Sequence, residues 1–231
     1  FLNSRVIILL AMPIRKPRQK KESVIGCSAH NDDFVIGAGG TIKRYTDEGK
    51  KVTAVIFSYG EKSHPWLKKK VIQKVRVKEA HEAAVILGCK VVLFDLREFH
   101  FLEDYKEKKI DEALRKILAK EKPQKIFTHS LEDPHPDHKA VNQITMAIVE
   151  ETKSKAELYV YPIWNPVSFR TTYPSLYVNI DSTFWPKLRA LRTFHSQKIH
   201  IIYPFFLLLF RAVREGFHVH TRFAEKFFRL R

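Results

Sequence analysis

From Glu22 onward the chain alternates short, continuous apolar runs with longer stretches whose apolar positions recur every three or four residues. The runs SVIGCSA, KVTAVIFS, KVVLFDL and QKIFTHS are short, uniformly apolar and rich in β-branched residues, which predicts strands buried on both faces. Between them, VIGAGGTIKRYTDEGK predicts a loop and a helix ending near Gly49, and KKKVIQKVRVKEAHEAAVILG a helix stopped by Gly88. KKIDEALRKILAKEKP and DHKAVNQITMAIVEETK predict two further helices, and strands follow near ELYVYPIW and SLYVNID. Strand–helix alternation with short loops predicts an α/β fold, a Rossmann-like and mostly parallel sheet with helices on both faces in a three-layer sandwich. Residues 22–231 read as one domain, with a less regular closing layer from about Asn165, and residues 1–21 as an N-terminal extension.

This architecture assigns a place to the chemistry, because ligands of open parallel sheets bind beyond the carboxyl ends of the strands. Four polar clusters, AHNDD, SYGEKS, DLREF and HSLEDPHPDH, each follow a predicted strand and so share that edge. The first holds His30, Asp32 and Asp33, and the last holds His135, Asp137 and His138. Imidazole and carboxylate suit a zinc-like divalent metal where cysteine is not at hand. His30, Asp33 and His138 offer three ligands and leave Asp32 as a general base beside a metal-bound water. His135 then faces the substrate to stabilise an oxyanion or protonate the leaving group, and Asp137 orients His135 or His138. A plainer account makes Asp32, Asp33 or Asp137 helix caps. Capping explains one carboxylate per loop, not paired carboxylates with histidines in both loops.

The glycines of VIGAGGTI begin the G-x-G-x-x-G pattern but meet Ile42 at its last position, and two adjacent aspartates would repel a pyrophosphate. Close packing of a helix on the sheet is the expected use of these small residues. A net charge of +16 on 231 residues raises nucleic acid, a membrane surface or an anionic substrate as partners. The basic residues are spread along the chain, so no specific nucleic-acid partner is expected. A basic binding module would leave both His/Asp clusters unexplained. Cys27 and Cys89 form no C-x-x-C pair and read as buried thiols of a cytoplasmic protein. The apolar runs Val6–Met12 and Ile201–Phe210 are too short to span a bilayer. The second predicts a buried helix or the interface of a homo-oligomer, ahead of peripheral membrane contact.

AHNDDFVIGAGG and PHPDHKAV together resemble the two motifs of the PIG-L/LmbE family of zinc-dependent N-acetylglucosaminyl deacetylases, and most nearly the archaeal diacetylchitobiose deacetylases. VRVKEAHEAAVILG, FHSQ and RFAEKFFRL extend the likeness over about residues 22–231. The resemblance implies zinc on His30, Asp33 and His138, Asp32 as base, His135 as the electrophilic partner and an amino-sugar substrate. It also implies sugar contacts from Arg76 and from Asp95, whereas an exposed Arg76 paired with Glu79 is the local alternative. Asn31 stands where the family has proline, and Phe34 where it has an acidic or small residue. Asn31 is expected to alter loop rigidity, and Phe34 to close one wall of the pocket.

Overall fold

The computed structural model describes residues 21–60, 68–165 and 173–231. Residues 1–20 of the expected N-terminal extension lie outside these, as does the end of the SYGEKS cluster. The chain runs β1 (Ser23–Ser28), α1 (Asp33–Asp47), β2 (Lys51–Ile56), α2 (Lys69–Leu87), β3 (Lys90–Leu93), α3 (Phe101–Glu107), α4 (Ile110–Glu121) and β4 (Lys125–His129). It continues through α5 (Pro136–Glu151), β5 (Glu157–Tyr161), β6 (Ser175–Asn179), α6 (Phe184–Leu191), α7 (Lys198–His218) and β7 (Ala224–Arg229). Among the described residues the sheet has seven strands in the order β3-β2-β1-β4-β5-β7-β6. The first five are parallel, whereas β7 pairs antiparallel with both β5 and β6.

Helices cover both faces because the strands are apolar on both sides. On one face Val24, Val52, Ala54 and Ile56 pack under α1, α2 and α6. On the other, Ile25, Cys27, Val55 and Ile126 meet α4 and α5. Successive residues of one strand thus enter opposite cores, as the period of two demands. Helix α4 shows the complementary pattern, with Ile110, Leu114 and Leu118 buried along one stripe. Gly88 closes α2 in the left-handed conformation at φ 74°.

Two expectations change. The helix α1 begins at Asp33 with no intervening loop, so its glycines lie inside it. Their smallness serves packing: a Cβ on Gly40 would come within 2.8 Å of the Ile180 side chain, and one on Gly37 would enter the Tyr161 ring. The region after Asn165 is also regular where described. Its strand β7 inserts between β5 and β6, a long-range pairing that leaves no local periodicity to read. A buried ion pair ties this layer to the core. Lys187 Nζ lies 2.6 Å from Glu225 Oε1 and donates to the Ile36 carbonyl at 2.8 Å. Glu225 in turn accepts the Gly40 and Thr41 amides of α1 at 2.9 and 2.7 Å.

The run Ile201–Phe210 lies within α7, whose side chains are described from Phe205 onward. Leu208 and Ala212 face the core, while Phe206, Phe210, Val213 and Phe217 form an exposed stripe. The helix is therefore half-buried rather than enclosed. Among the described residues, no helix is long and apolar enough to cross a membrane.

Candidate metal centre

The strand order reverses between β1 and β4, which leave their helices on either side of the sheet. A crevice opens at such a switch point, and the two motif loops leave the sheet there side by side. The donor atoms of His30, Asp33 and His138 all lie within 4.8 Å of one another. Asp33 Oδ2 accepts the His30 amide at 2.8 Å and lies 3.4 Å from both His30 Nδ1 and His138 Nε2. Although burial opposes its ionisation, the imidazoles of His138 and His129 hold the Asp33 carboxyl well below the usual carboxylate range.

The donor set fits a divalent cation on two grounds. His138 is fully buried, and its Nε2, facing Asp33, has no hydrogen-bond partner. A buried nitrogen in this state wants a ligand. Burial also disfavours charge on His138, yet Asp33 and Asp133 outweigh it and carry the imidazole up to about 9. The surroundings are negative enough to call for positive charge where the three donors converge. His30, His135 and Asp137 form an overlapping candidate group that shares His30. In that group Asp137 is already engaged, accepting the Phe99 amide at 2.8 Å through Oδ1 and facing His30 Nε2 at 3.2 Å through Oδ2.

The remaining predicted residues distribute unevenly. Asp32 occupies the N-cap position of α1, but its side chain makes no capping bond, which removes the plainer account of that carboxylate. It lines a pocket of about 170 Å³ with His30, Asp33, His135 and Arg76. Burial first, and then the neighbouring Asp33, raises its pKa. His135, not Asp137, is the N-cap of α5, its Nδ1 accepting the Asp137 amide at 3.2 Å. An acceptor at Nδ1 leaves Nε2 as the protonated nitrogen of the neutral ring. Burial, reinforced by His30 and His138, lowers the His135 pKa to about 4, so the ring is neutral near pH 7. Asp137 sits on His30 rather than orienting His138, and its carboxylate is 4.0 Å from His135 Nδ1.

Arg76 is 1% exposed and lines the pocket, so the surface pairing with Glu79 does not occur. Its guanidinium donates to the Tyr59 carbonyl at 2.9 Å and to Asn31 Oδ1 at 3.3 Å, while Asn31 Nδ2 donates back to the Arg76 carbonyl at 3.1 Å. Glu79 instead accepts from the Ser196 amide and hydroxyl. Asn31 thus clamps Arg76. Phe34 is fully buried in the core and walls no part of this pocket, correcting its expected position.

Asp95 is also misplaced by the sequence reading. Extended backbone bonding to β2 continues through Phe94 and Leu96, so alternation turns Leu96 inward and Asp95 out, where it accepts from Gln73 Nε2 at 3.3 Å. The carboxylate from this loop that reaches the pocket is Glu98, 3.8 Å from His30 Nε2. The chain bends back there through Phe99, which holds φ 67° and stacks its ring on His135 at 5.6 Å. Two further residues escaped notice although both lie in HSLEDPHPDH. Asp133 stands 2.9 Å from His138 Nδ1 and accepts the amides of His135, Ile163 and Trp164. His129 stacks on His138 with ring centroids 4.0 Å apart, and its Nε2 accepts the Ala29 amide at 2.9 Å. That bond occupies the nitrogen a metal would need.

A sequence profile of the family described as GlcNAc-PI de-N-acetylase, PIG-L, matches residues 26–149, which contain both motif loops. A 4-oxalmesaconate hydratase from Pseudomonas putida is 29% identical over 155 residues, spanning 64% of this chain and 57% of its own length. A diacetylchitobiose deacetylase from Thermococcus kodakarensis is 26% identical over 210 residues, 84% of this chain and 77% of that protein. The solved N,N'-diacetylchitobiose deacetylase of Pyrococcus horikoshii superimposes with a TM-score of 0.75 at 26% identity, covering 94% of this chain and 87% of its own. The chain belongs to the PIG-L family of de-N-acetylases.

Proposed function

We propose that this PIG-L family member is a metal-dependent hydrolase that removes the acetyl group from an N-acetylated amino sugar. The observation that carries the reading is a pocket lined by His30, Asp33 and an Asp32 carboxylate free of any capping role, with the buried His138 closing the three-donor group behind it. His30, Asp33 and His138 would hold the metal, with zinc the ion best suited to two imidazoles and one carboxylate. A divalent ion bound there supplies Lewis acidity and lowers the pKa of its water toward about 7. Asp32, raised by burial, accepts the proton of the attacking water at its carboxylate. His135 donates from Nε2–H to the amide oxygen as negative charge develops on it. Arg76 and Glu98 border the same pocket and bind sugar hydroxyls. The released amine takes a proton from Asp32, which restores the base.

The unpaired cysteines fit a reducing cytoplasm, and the exposed stripe on α7 supplies a surface for homo-oligomer assembly. A second reading, water addition to an unsaturated acid by the same centre, is favoured by the hydratase relative. Metal analysis with a free-amine assay on N-acetylglucosamine and diacetylchitobiose separates the two. About one zinc per chain, amine release, and loss of both in His138→Ala is the expected result. Metal binding without amine release, with turnover of 4-oxalmesaconate instead, would select the hydratase reading. Asp32→Asn is expected to keep the metal and lose roughly 10²–10⁴-fold in kcat. Full turnover in that variant would refute its role as base.

A further inference from the structure

Beside the metal-centre pocket lies a second cavity of about 280 Å³, bounded by the start of α1, the segment after β5, α7 and β7. Ile36, in the first turn of α1, walls both cavities, and the consecutive residues Ile163 and Trp164 face one each. Anything bound at the metal centre therefore has this space as its neighbour. The site chemistry described so far makes no use of it.

The cavity's polar groups are held in place by the protein itself. Arg211 donates to the carbonyls of Pro162, Ile163 and Asn165. Lys187 is tied to Glu225, and Arg214 Nε donates to Glu215 Oε1 at 2.8 Å. One oxygen is left over. Glu215 is 3% exposed, and its Oε2 is buried with no hydrogen-bond partner. A buried carboxylate oxygen on a cavity wall is an acceptor prepared for a donor from outside the protein. The charge of the lining is unbalanced in the opposite sense. Four cations, Lys187, Arg211, Arg214 and Lys226, face the two carboxylates Glu215 and Glu225. Lys226 pairs with no carboxylate among the described residues and lies over the rings of Tyr177 and Phe228 at 5.3 and 4.8 Å. Uncompensated positive charge over apolar walls favours an anion, because the low surrounding dielectric strengthens the attraction.

We propose that this cavity is a second binding site, adjoining the reaction pocket, for an anionic group carried on a hydroxylated scaffold. The anion, a phosphate or carboxylate, faces Lys226 and Arg214, and the hydroxyl donates to Glu215 Oε2. Resting on the deacetylase reading, it is the subsite for the aglycone, and the substrate is an N-acetylated amino sugar with an acidic substituent rather than a neutral oligosaccharide.

Two measurements on the metal-loaded protein test this. Glycerol 3-phosphate, a hydroxylated anion without an acetyl group, is titrated by calorimetry into the wild type, Lys226→Glu and Glu215→Gln. In parallel, kcat/KM for deacetylation is compared between N-acetylglucosamine 1-phosphate and methyl N-acetylglucosaminide. Saturable binding weakened at least tenfold in both variants is expected, with a roughly tenfold preference for the phosphorylated sugar that Lys226→Glu abolishes while turnover of the methyl glycoside stays unchanged. Lys226 is only half-buried on β7 and carries no ion pair among the described residues, so Lys226→Glu keeps the test sound should Glu215→Gln not fold. Absent binding, binding equal in Lys226→Glu and wild type, or equal kcat/KM for the two sugars would overturn the site or its role. Binding lost in the variants, with neither sugar deacetylated, would retain the anion site and refute the deacetylase reading instead.

Discussion

Replacing Asp133 with Asn is the sharpest test of how the candidate metal centre is held. Asp133 is fully buried, and its Oδ2 accepts the Ile163 and Trp164 amides at 2.9 and 3.1 Å. Its Oδ1 accepts the His135 amide at 3.1 Å and stands 2.9 Å from His138 Nδ1. Against the cost of burial, His138 and the backbone amides hold its carboxyl down to about 2. Asparagine is nearly isosteric but keeps only one acceptor. With that oxygen on Ile163 and Trp164, its amide NH₂ would face two other donors, the His135 N–H and the imidazole Nδ1–H of His138. The fixed orientation of His138 Nε2 toward Asp33 is then lost. Removing such a partner of a ligating histidine costs roughly 10–100-fold in metal affinity, or about 1.4–2.8 kcal/mol. One lost buried hydrogen bond adds about 1 kcal/mol of destabilisation, a fall of about 2–4 °C in Tm for a chain this long. Zinc affinity is read by chelator competition and Tm by circular dichroism on the apo protein. Asp104→Asn, a buried carboxylate in α3 away from the centre, is the control: its Tm falls and its zinc affinity holds. A zinc Kd within about twofold of wild type in Asp133→Asn would refute the reasoning, whatever happened to Tm.

The remaining expectations concern the pocket wall, the buried ion pair and acid stability. Gly60 sits at φ 70° with its missing Cβ pointed into the Arg76 guanidinium. Gly60→Ala should cost about 1 kcal/mol in backbone strain and displace Arg76, seen as a rise in KM larger than the fall in kcat; unchanged KM would exclude Arg76 from substrate binding. Glu225→Leu leaves the Lys187 ammonium buried and unpaired, a loss of roughly 3–5 kcal/mol that the Lys187→Met/Glu225→Leu double variant should largely recover. Urea unfolding of the set measures this coupling, and a single-variant loss under about 1 kcal/mol would contradict it. Asp104 is fully buried, yet its bonds from Arg97 and Lys108 outweigh that burial and hold its carboxyl far below the ordinary range. A depressed folded-state pKa contributes stability above the unfolded value of about 3.9 and loses it as pH falls toward the folded one. The Tm difference between wild type and Asp104→Asn should therefore be widest near neutrality and close below about pH 4; a constant difference would deny the ion pair its role.

Much of this protein was legible along the chain because its signals are local. Each parallel strand is a continuous apolar run, Gly88 ends its helix by adopting a conformation other residues resist, and the motif loops begin where strands stop. His30, Asp33 and His138 could be grouped from sequence because β1 and β4, which carry them, obey the general rule that strand ends share one edge. The local reading went wrong where a residue's surroundings come from distant segments. Asp95 and Glu98 are three positions apart in one acidic loop, and only the inward and outward alternation after β3, followed by the turn at Phe99, decides which of them meets His30. Phe34 belongs to the core because α1 already begins at Asp33, with no loop between, and turns Phe34 onto the face packed against the sheet.

The amino-acid order alone determined the parallel strands with the helices between them and brought the candidate donors His30, Asp33 and His138 to one edge, all of which follow from periodicity, chain connectivity and residue chemistry. Tertiary structure decided the insertion of β7 between β5 and β6, the use of Asn31 to hold Arg76, and the support of His138 by Asp133 and His129. It also decided the charge balance of the cavity beside the centre, where α6, α7 and β7 bring their lysines and arginines to one wall. These are pairings in space, and hydrogen bonds, burial and electrostatic fields depend on distance through the folded protein rather than on separation along the chain.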